Sequence, residues 1–328
     1  MKTCTYGKIF NKNATLYYLE NEKFKVSISD FGGIIKDFIV KTKNGEKDIV
    51  LGFNSVLNHF ESNTYAGAII GRVANGITDA KFTLNEKEYN LFANEPGNIC
   101  NHGGLRGFDK YFYNVTCYED TKLTLNRLSK DGEEAFPANL EIEVTYNLTN
   151  EGLSISINAI SDGDTYFAPT MHPYFNLSGG DSVESVLLRV NAVNYTQKGK
   201  DGLPNGKIEP IVNTPYDFSE FKELGVYDFD VNFCTESEHK ATAIDKKSNL
   251  KLDVYSNLEG LQLYVPNFIE SLNGKNGVKY TGRCAFCLEP QFYPNAVNIS
   301  GFTKPLIKKG EQKNYYINYF VTEVENGK

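Results

Sequence analysis

Apolar and polar residues alternate with a period of two along much of the chain. Between positions 140 and 148, apolar residues occupy every second position, and a second alternating run covers 153–159. Alternation of this kind predicts β-strands that place one face on a core and the other in water. The intervening residues 150–152 include Asn and Gly, so the two runs together predict a β-hairpin.

The same pattern predicts strands elsewhere. They are 24–29, 38–42, 48–51, 82–84, 89–91, 250–255, 261–265 and 315–322, with a turn signal at Asn44 and Gly45 between the second and the third. Segments with helical periodicity are short, and the best candidates for helices are 55–60 and 218–224. Many closely spaced strands with few short helices predict an all-β fold, a single large antiparallel β-sandwich. No linker or shift in composition divides the chain, so we expect one domain over 1–328.

Composition and charge exclude several classes of function. The 328 residues include 34 Lys and Arg against 41 Asp and Glu, a formal net charge of -7, so a nucleic acid or an anionic membrane finds no basic field. No segment approaches the roughly 20 apolar residues of a membrane-spanning helix, and the first residues form no apolar signal region. The six cysteines are too scattered for a disulfide framework, which favours a cytoplasmic protein with reduced thiols.

Two histidines and one glutamate lie in settings that suit chemistry. His102 precedes two glycines, in a loop where the backbone can approach a ligand closely, and His172 precedes a proline and an aromatic pair. Glu289 ends an apolar run, where a carboxylate is unfavourable unless it is hydrogen-bonded, paired or functional. Alternatives stay open, since the histidines can bond to their own loops and the glutamate can turn into water. His59 and His239 have polar neighbours and are predicted to face solvent.

Two further motifs are interpreted as structural. Residues 284–287 have the C-x-x-C spacing of redox and metal sites, but residues three apart in a strand face opposite sides, so we predict no such site. Segment 71–77 lacks the glycine pattern of a phosphate loop and the Gly-Lys-Ser/Thr of a P-loop. It is predicted to be a turn that leads into the strand near Phe82.

Taken together, these segments resemble the aldose 1-epimerase family. The motifs include Gly-Arg-Val-Ala-Asn at 71–75, Asn-His-Gly-Gly at 101–104, Met-His-Pro-Tyr-Phe-Asn-Leu at 171–177 and Cys-Leu-Glu-Pro-Gln at 287–291. Further matches lie at 32–35, 106–110, 131–134, 230–233, 261–264, 274–277 and 294–298. Each motif is a weak signal by itself, and their shared order along almost the whole chain makes the resemblance specific. It implies one β-sandwich with a sugar cleft across one sheet, in agreement with the alternation.

The family interconverts the α and β anomers of a free aldose, such as galactose or glucose, and uses no cofactor. The resemblance implies that Glu289 is the catalytic base, that His172 is the catalytic acid and that His102 holds the substrate near its ring oxygen. It implies sugar contacts at Asn75, Tyr174, Asp230 and Gln262. Ring opening removes a proton from the C1 hydroxyl and delivers one to the ring oxygen, and a carboxylate and an imidazolium exchange protons near neutral pH.

One departure from the family pattern keeps alternatives open. Gly76 stands where the family has a sugar-contacting arginine, and Arg72 is a candidate replacement. A non-catalytic carbohydrate-binding protein on the same scaffold, or an epimerase of a phosphorylated or otherwise modified hexose, therefore remains an alternative. A metal enzyme with His102, His172 and Glu289 as ligands is a third, although these residues lie far apart in sequence. We expect a small aldose as partner, no nucleic acid, membrane or metal, and a monomer or a homodimer.

Overall fold

The computed structural model describes residues 1–180, 182–266 and 272–324. The first half of the chain contains β1 (Lys2–Ile9), β2 (Lys12–Glu20), β3 (Phe24–Ser29), β4 (Ile35–Thr42), β5 (Gly45–Asp48), α1 (Val56–Ser62), β6 (Ile69–Ile70), β7 (Gly76–Ile77), β8 (Lys81–Leu84), β9 (Lys87–Asn90), β10 (Cys100–Asn101), β11 (Asn114–Glu119), β12 (Lys122–Ser129), β13 (Leu140–Leu148) and β14 (Gly152–Ser161). The second half contains β15 (Thr165–Tyr166), β16 (Thr170–Met171), β17 (Leu187–Val190), β18 (Asn194–Lys198), β19 (Pro204–Pro210), β20 (Lys222–Glu223), β21 (Phe229–Cys234), β22 (His239–Asp245), β23 (Leu250–Ser256), β24 (Gly260–Val265), β25 (Leu272–Asn273), β26 (Lys279–Tyr280), β27 (Cys287–Gln291), β28 (Leu306–Ile307) and β29 (Gln312–Glu323).

Three larger sheets organise these strands. The nine-stranded sheet has the order β11-β12-β13-β14-β29-β23-β22-β17-β20, and the N-terminal sheet has the order β1-β2-β3-β4-β5. A third sheet has the order β19-β18-β21-β24-β27, and we call it the cleft sheet because a large cavity lies on one of its faces. Short two-stranded pairs such as β16-β6 and β10-β7 connect loops around that cavity.

The predicted hairpin is the centre of the nine-stranded sheet. In β13 and β14, Leu148 lies opposite Leu153 and Leu140 lies opposite Ser161. The inward positions Leu140 and Ile155 are fully buried, while Glu141 is exposed between two buried neighbours. The alternation therefore predicted both the strands and their faces correctly.

The apolar faces of the sheets meet in one hydrophobic cluster. It contains Ile155 from β14, Leu261 and Leu263 from β24 and Leu288 from β27, all fully buried. The hydroxyl of Tyr319 on β29 donates a hydrogen bond to the carbonyl oxygen of Leu288 at 3.3 Å, which joins the two layers directly. Antiparallel layers around a shared core confirm the predicted β-sandwich.

The helix predictions have different outcomes. Helix α1 begins after Ser55, whose hydroxyl accepts a hydrogen bond from the main-chain nitrogen of Asn58, so the prediction at 55–60 is confirmed. The prediction at 218–224 is wrong, because this segment is extended and contains β20. Phe218 and Leu224 are buried, whereas Phe221, which a helical face would bury with them, is 43 % exposed. Among the described residues α1 is the one α-helix, and no helix there is long and apolar enough to cross a membrane.

Two other local predictions need correction. Of the strand predicted at 48–51, only Asp48 lies in a strand, because β5 covers Gly45–Asp48. Beyond it, Val50 forms an isolated bridge with Phe175. His59 was predicted to face solvent, which is wrong. Its side chain is buried in α1 with its ring edge-on to Phe53, at 5.8 Å between ring centroids.

Candidate active site

Strand alternation in the cleft sheet separates an apolar face from a polar one. Leu261, Leu263 and Leu288 lie in the core, so the alternate positions of β24 and β27 face the other way. The strand register places Gln262 opposite Glu289. The polar face of this sheet is thus built by the same rule that built the hairpin.

Three rows of side chains lie across this face. The first row contains Asp230, Tyr264 and Cys287, the second Asn232, Gln262 and Glu289, and the third Cys234, Gly260 and Gln291. Members of a row are directly opposite one another on β21, β24 and β27, and successive rows are two residues apart, so all share one face.

The cavity over these rows has a volume of about 1050 Å³, at the upper end of the range for ligand pockets. Its other walls come from the segments 62–65, 75–76, 95–102, 172–174 and 196–204. All seven residues proposed from the resemblance line it: Asn75, His102, His172, Tyr174, Asp230, Gln262 and Glu289. The fold therefore brings together side chains that lie far apart in sequence.

His172 and Glu289 form a buried pair of titratable groups in the cavity, with 3.6 Å between Nε2 of the imidazole and Oε2 of the carboxyl group. Both side chains are almost fully buried. Two hydrogen bonds hold the segment of His172 in place: Thr170 donates from its hydroxyl to the carbonyl oxygen of Pro290 at 2.6 Å, and Gly67 donates to that of His172 at 2.8 Å.

Aromatic and sulfur contacts fix the plane of the His172 ring. Tyr174 stacks on it at 5.1 Å between centroids and Tyr65 stacks at 6.1 Å. Its Nδ1 lies 3.7 Å from the sulfur of Cys287. The two ring nitrogens therefore have different partners, and Nε2 is the one directed at Glu289.

His102 is held by the short pair β10-β7. The main-chain nitrogen of Asn75 donates to its Nδ1 at 3.2 Å, so the neutral ring carries its proton on Nε2. The His102 ring lies 5.4 Å from that of His172. Gly103 permits the loop after His102 to lie close against the main chain of Gly71. Its φ is 90°, and a Cβ there would come within 1.9 Å of the carbonyl oxygen of Gly71.

Burial sets the protonation of these groups. It raises the pKa of Glu289 well above its usual value, and the nearby carboxylate of Asp230 raises it further. Burial also lowers the pKa of His172 to about 4, although its backbone hydrogen bond and Asp230 oppose the change. The pKa of His102 is lowered well below 6.5 by burial and by its neighbours His172 and Lys110. The enclosed site therefore disfavours charge on all three side chains.

Asp230 connects the middle of the site with its mouth. Its Oδ1 accepts a hydrogen bond from Nε2 of Gln262 at 2.5 Å, and its Oδ2 accepts one from Nζ of Lys198. The remaining Oε1 of Gln262 and both polar side-chain atoms of Asn232 are buried without a partner among the described residues. A buried polar atom without a partner costs about 1–3 kcal/mol, so these atoms are suited to accept and donate to the hydroxyls of a ligand.

The proposed replacement of the family arginine by Arg72 is wrong. Arg72 is 2 % exposed, does not line the cavity, and donates to the carbonyl oxygens of Ser129, Lys130, Pro137 and Ala138 and to two hydroxyls. The space beside Gly76 is filled by Leu203, since a Cβ at position 76 would lie 2.6 Å from its Cδ2.

A trio of possible metal ligands, His172, Cys287 and Glu289, places one donor atom of each residue within 4.8 Å of the others. Its chemistry does not fit a metal well. The sulfur and the carboxylate approach different nitrogens of one imidazole, and burial raises the pKa of the Cys287 thiol well above 9, whereas a ligating thiol must lose its proton. We assign no metal to this trio.

Several residues of the cavity were not predicted from the sequence. They are Tyr65, Lys198, Asn232 and Tyr264 in its lining and Cys287 behind His172. For three of them a signal existed: Asn232, Tyr264 and Cys287 lie in the same rows as residues already singled out. Tyr65 and Lys198 carry no comparable signal, because a loop brings Tyr65 there and the end of β18, an inner strand of the cleft sheet, brings Lys198.

Comparison with known proteins defines the class first by its fold. A structure of an aldose epimerase homologue from C. elegans superimposes with a TM-score of 0.90 at 24% identity, covering 94% of this chain and 99% of that one. A galactose 1-epimerase from Lactobacillus acidophilus gives 0.85 at 22% identity, covering 99% of each chain. The architecture is thus the galactose mutarotase-like β-sandwich.

Sequence comparison then assigns the family. The model of the aldose 1-epimerase family matches residues 15–319. The galactose mutarotase of Sus scrofa is 35% identical over 323 residues, 94% of each chain, and the aldose 1-epimerase of Haemophilus influenzae is 30% identical, covering 86% of this chain and 88% of that protein. The chain belongs to the aldose 1-epimerase family, and it is an isomerase.

Proposed function

We propose that the protein interconverts the α and β anomers of a free hexose by opening and closing its ring, with Glu289 as base and His172 as acid. The observation that carries the proposal is the buried pair 3.6 Å apart inside a cavity lined by hydroxyl-binding side chains. Several relatives are named galactose mutarotase, so galactose is the first sugar to test and glucose the second.

Proton transfers at two atoms of the sugar account for the reaction. The carboxylate of Glu289 removes the proton of the C1 hydroxyl while the imidazolium of His172 protonates the ring oxygen, and the bond between C1 and that oxygen breaks. Rotation about the C1–C2 bond exposes the other face of the aldehyde. The reverse transfers close the ring, so no proton is gained or lost.

Burial favours the ring-opening step. Before it, the active pair is a carboxylate and an imidazolium; after it, both groups are neutral. Because the enclosed site raises the pKa of Glu289 and lowers that of His172, it stabilises the neutral pair relative to the charged one. The carboxylate is a stronger base than a free glutamate and the imidazolium a stronger acid than a free histidine.

The other residues are proposed to hold the sugar. His102 presents an Nε2 proton to the ring oxygen or to a neighbouring hydroxyl, since its Nδ1 accepts from the main chain beside Asn75. Asp230 and Gln262 offer a carboxylate and an amide to the ring hydroxyls. Tyr174 supports the His172 ring from one side.

Polarimetry tests the proposal. Freshly dissolved α-galactose and α-glucose should reach anomeric equilibrium faster with the protein than without it. Glu289→Gln should reduce the acceleration about 10²- to 10⁴-fold, and His172→Asn should reduce it over the same range. Glu143→Gln is the matched control, because Glu143 lies on the outer face of β13. No acceleration by the wild type, or full acceleration by Glu289→Gln, would overturn the proposal.

The alternatives give different results in the same assay. A non-catalytic carbohydrate-binding protein would bind galactose without accelerating its equilibration. A phosphorylated hexose calls for a cluster of cations, whereas Lys198 is the one Lys or Arg that lines the cavity in the described part of the chain. That observation favours an unphosphorylated sugar. The cytoplasmic location, the oligomeric state and the single domain stay predictions.

A further inference from the structure

The charges that line the cavity are strongly unequal. Four carboxyl groups line it, those of Glu95, Asp201, Asp230 and the buried Glu289, against the single cation Lys198 within the described residues. The ammonium group of Lys198 is paired with the carboxylate of Asp230 and is a strong hydrogen-bond donor. Its position therefore decides where a ligand can find a charged donor.

Lys198 lies at the end of β18, next to β21 in the cleft sheet. Its Nζ donates to Oδ2 of Asp230, whose Oδ1 accepts from Gln262, and Gln262 lies opposite Glu289. Hydrogen bonds therefore run from Lys198 through Asp230 to Gln262, which is the strand neighbour of the proposed base. The side chain of Lys198 is 37 % exposed, so its ammonium group, with three donors and one carboxylate partner, also faces the cavity.

Position 76 of the cavity lining offers no side-chain donor. Gly76 has no side chain, and the space that one would occupy is taken by the apolar Leu203. A sugar hydroxyl both donates and accepts, so an ammonium and a carboxylate in contact can bind two adjacent hydroxyls, one as donor and the other as acceptor.

We propose that Lys198 is a substrate-binding residue that acts with Asp230 to hold one pair of adjacent hydroxyls of the sugar. The inference rests on the proposed function and adds a specificity determinant to it. Lys198 touches neither Glu289 nor His172, so it contributes to binding of the sugar and of the transition state equally. Its loss raises KM and leaves kcat nearly unchanged.

Steady-state polarimetry with Lys198→Met is the first experiment. KM for galactose should rise about tenfold or more, as expected for a hydrogen bond to a charged group, with kcat within about twofold. Lys198→Arg keeps the charge and should restore much of the loss. Lys200→Met is the matched control, because Lys200 is exposed in the same segment but does not line the cavity.

Deoxygalactoses identify the hydroxyls. If Lys198 binds one hydroxyl, the deoxygalactose that lacks that hydroxyl should show a raised KM with the wild type. Its KM should rise almost no further with Lys198→Met. For the other deoxygalactoses, Lys198→Met should raise KM as much as it does for galactose. An equal penalty for every deoxy sugar would overturn the assignment to a hydroxyl pair.

The outcomes separate this inference from the proposed function. If Lys198→Met leaves KM unchanged while Glu289→Gln abolishes the acceleration, Lys198 is not a binding residue and the proposed function stands. If the wild type accelerates no hexose, the proposed function fails, and calorimetric titration of galactose into wild type and Lys198→Met still measures the contribution of Lys198. Should Lys198→Met unfold, Lys198→Gln provides the same comparison.

Discussion

The nine-stranded sheet and the cleft sheet obey the same alternation and differ in what covers their polar faces. In β13 the residues between the buried positions, such as Glu141, face water. In β24 and β27 they face the cavity, and they are buried too: Gln262 is 3 % exposed and Glu289 2 % exposed. Polar residues at strand positions that remain buried, rather than alternation itself, therefore mark a candidate site.

The cover of the cleft sheet comes from distant parts of the chain. The pair β16-β6 places His172 and Tyr65 over the sheet, and the pair β10-β7 places His102 and Asn75 there. These strands are two residues long, and each pair holds the adjacent loop in place by its main-chain pairing. The loops beside these pairs and the polar face of the cleft sheet together line the cavity.

The largest expected effect tests the core side of this comparison. Ile155→Ala removes a fully buried side chain from β14 and should lower the free energy of unfolding by about 2–5 kcal/mol. Urea unfolding measures it. Ile160→Ala on the same strand is the control, because Ile160 is 44 % exposed, and it should cost much less. The kcat of folded Ile155→Ala should be unchanged; a large loss would show that the two sheets are coupled.

The second prediction concerns the pH dependence of the pair in the cleft sheet. The proposed active form carries one proton shared between His172 and Glu289. Since the pKa of His172 is lowered to about 4 and that of Glu289 is raised well above 4.5, kcat/KM should be bell-shaped. As the pH decreases below about 4, kcat/KM should decrease because the pair takes a second proton. At higher pH, kcat/KM should decrease again where Glu289 loses its proton.

Polarimetry across pH, corrected for spontaneous equilibration of the sugar, measures this profile. Each limb should approach a tenfold change per pH unit. The unfolding midpoint must be followed in parallel to separate acid unfolding from protonation. A rate that is flat on both sides would contradict a one-proton pair.

A matched pair of asparagines compares the two polar faces directly. Asn232→Ala removes a cavity amide whose polar atoms have no partner among the described residues, so KM for galactose should rise about tenfold without loss of stability. Asn158→Ala makes the same change on β14, at an outward, partly exposed position between buried neighbours. It should change stability by less than about 0.5 kcal/mol and leave KM unchanged. Equal effects of the two substitutions would remove the distinction between the faces.

The smallest expected effect is an increase in stability, caused by the substitution Glu289→Gln. Because the folded pKa of Glu289 lies above its unfolded value of 4.5, its contribution to stability is full below pH 4.5 and is lost as the pH rises through the folded pKa. Glu289→Gln cannot ionise, so it should be more stable than the wild type at neutral pH. Thermal unfolding should show the difference widening from pH 4.5 upward, and a gap that is constant with pH would argue against this linkage.

Local patterns predicted local structure well. The hairpin at 140–159 was foreseen with both faces, since neighbouring residues alone determine a two-residue period and a tight turn. The prediction at 218–224 failed because Phe218, Phe221 and Leu224 have the spacing of a helical face, whereas the fold buries the first and the last and leaves Phe221 exposed. His59 failed because its burial depends on how α1 packs against Phe53, which no local pattern contains.

The site was predictable in a different way. Glu289 had a physical signal of its own, a carboxylate ending an apolar run, whereas Asn75 and Asp230 entered through the family resemblance alone. Lys198 had neither signal. Its place in the cavity depends on the order of strands in the cleft sheet, which puts β18 beside β21.

The three rows of the cleft sheet form a fixed grid. Neighbouring strands lie about 4.8 Å apart and residues two apart along a strand about 6.7 Å apart, distances comparable to the span of a small ring and its substituents. A change of side chain at one grid point leaves the main chain at every other point in place. Redesign for another hexose can therefore begin at position 232, a point of this grid, without moving the groups proposed to transfer protons.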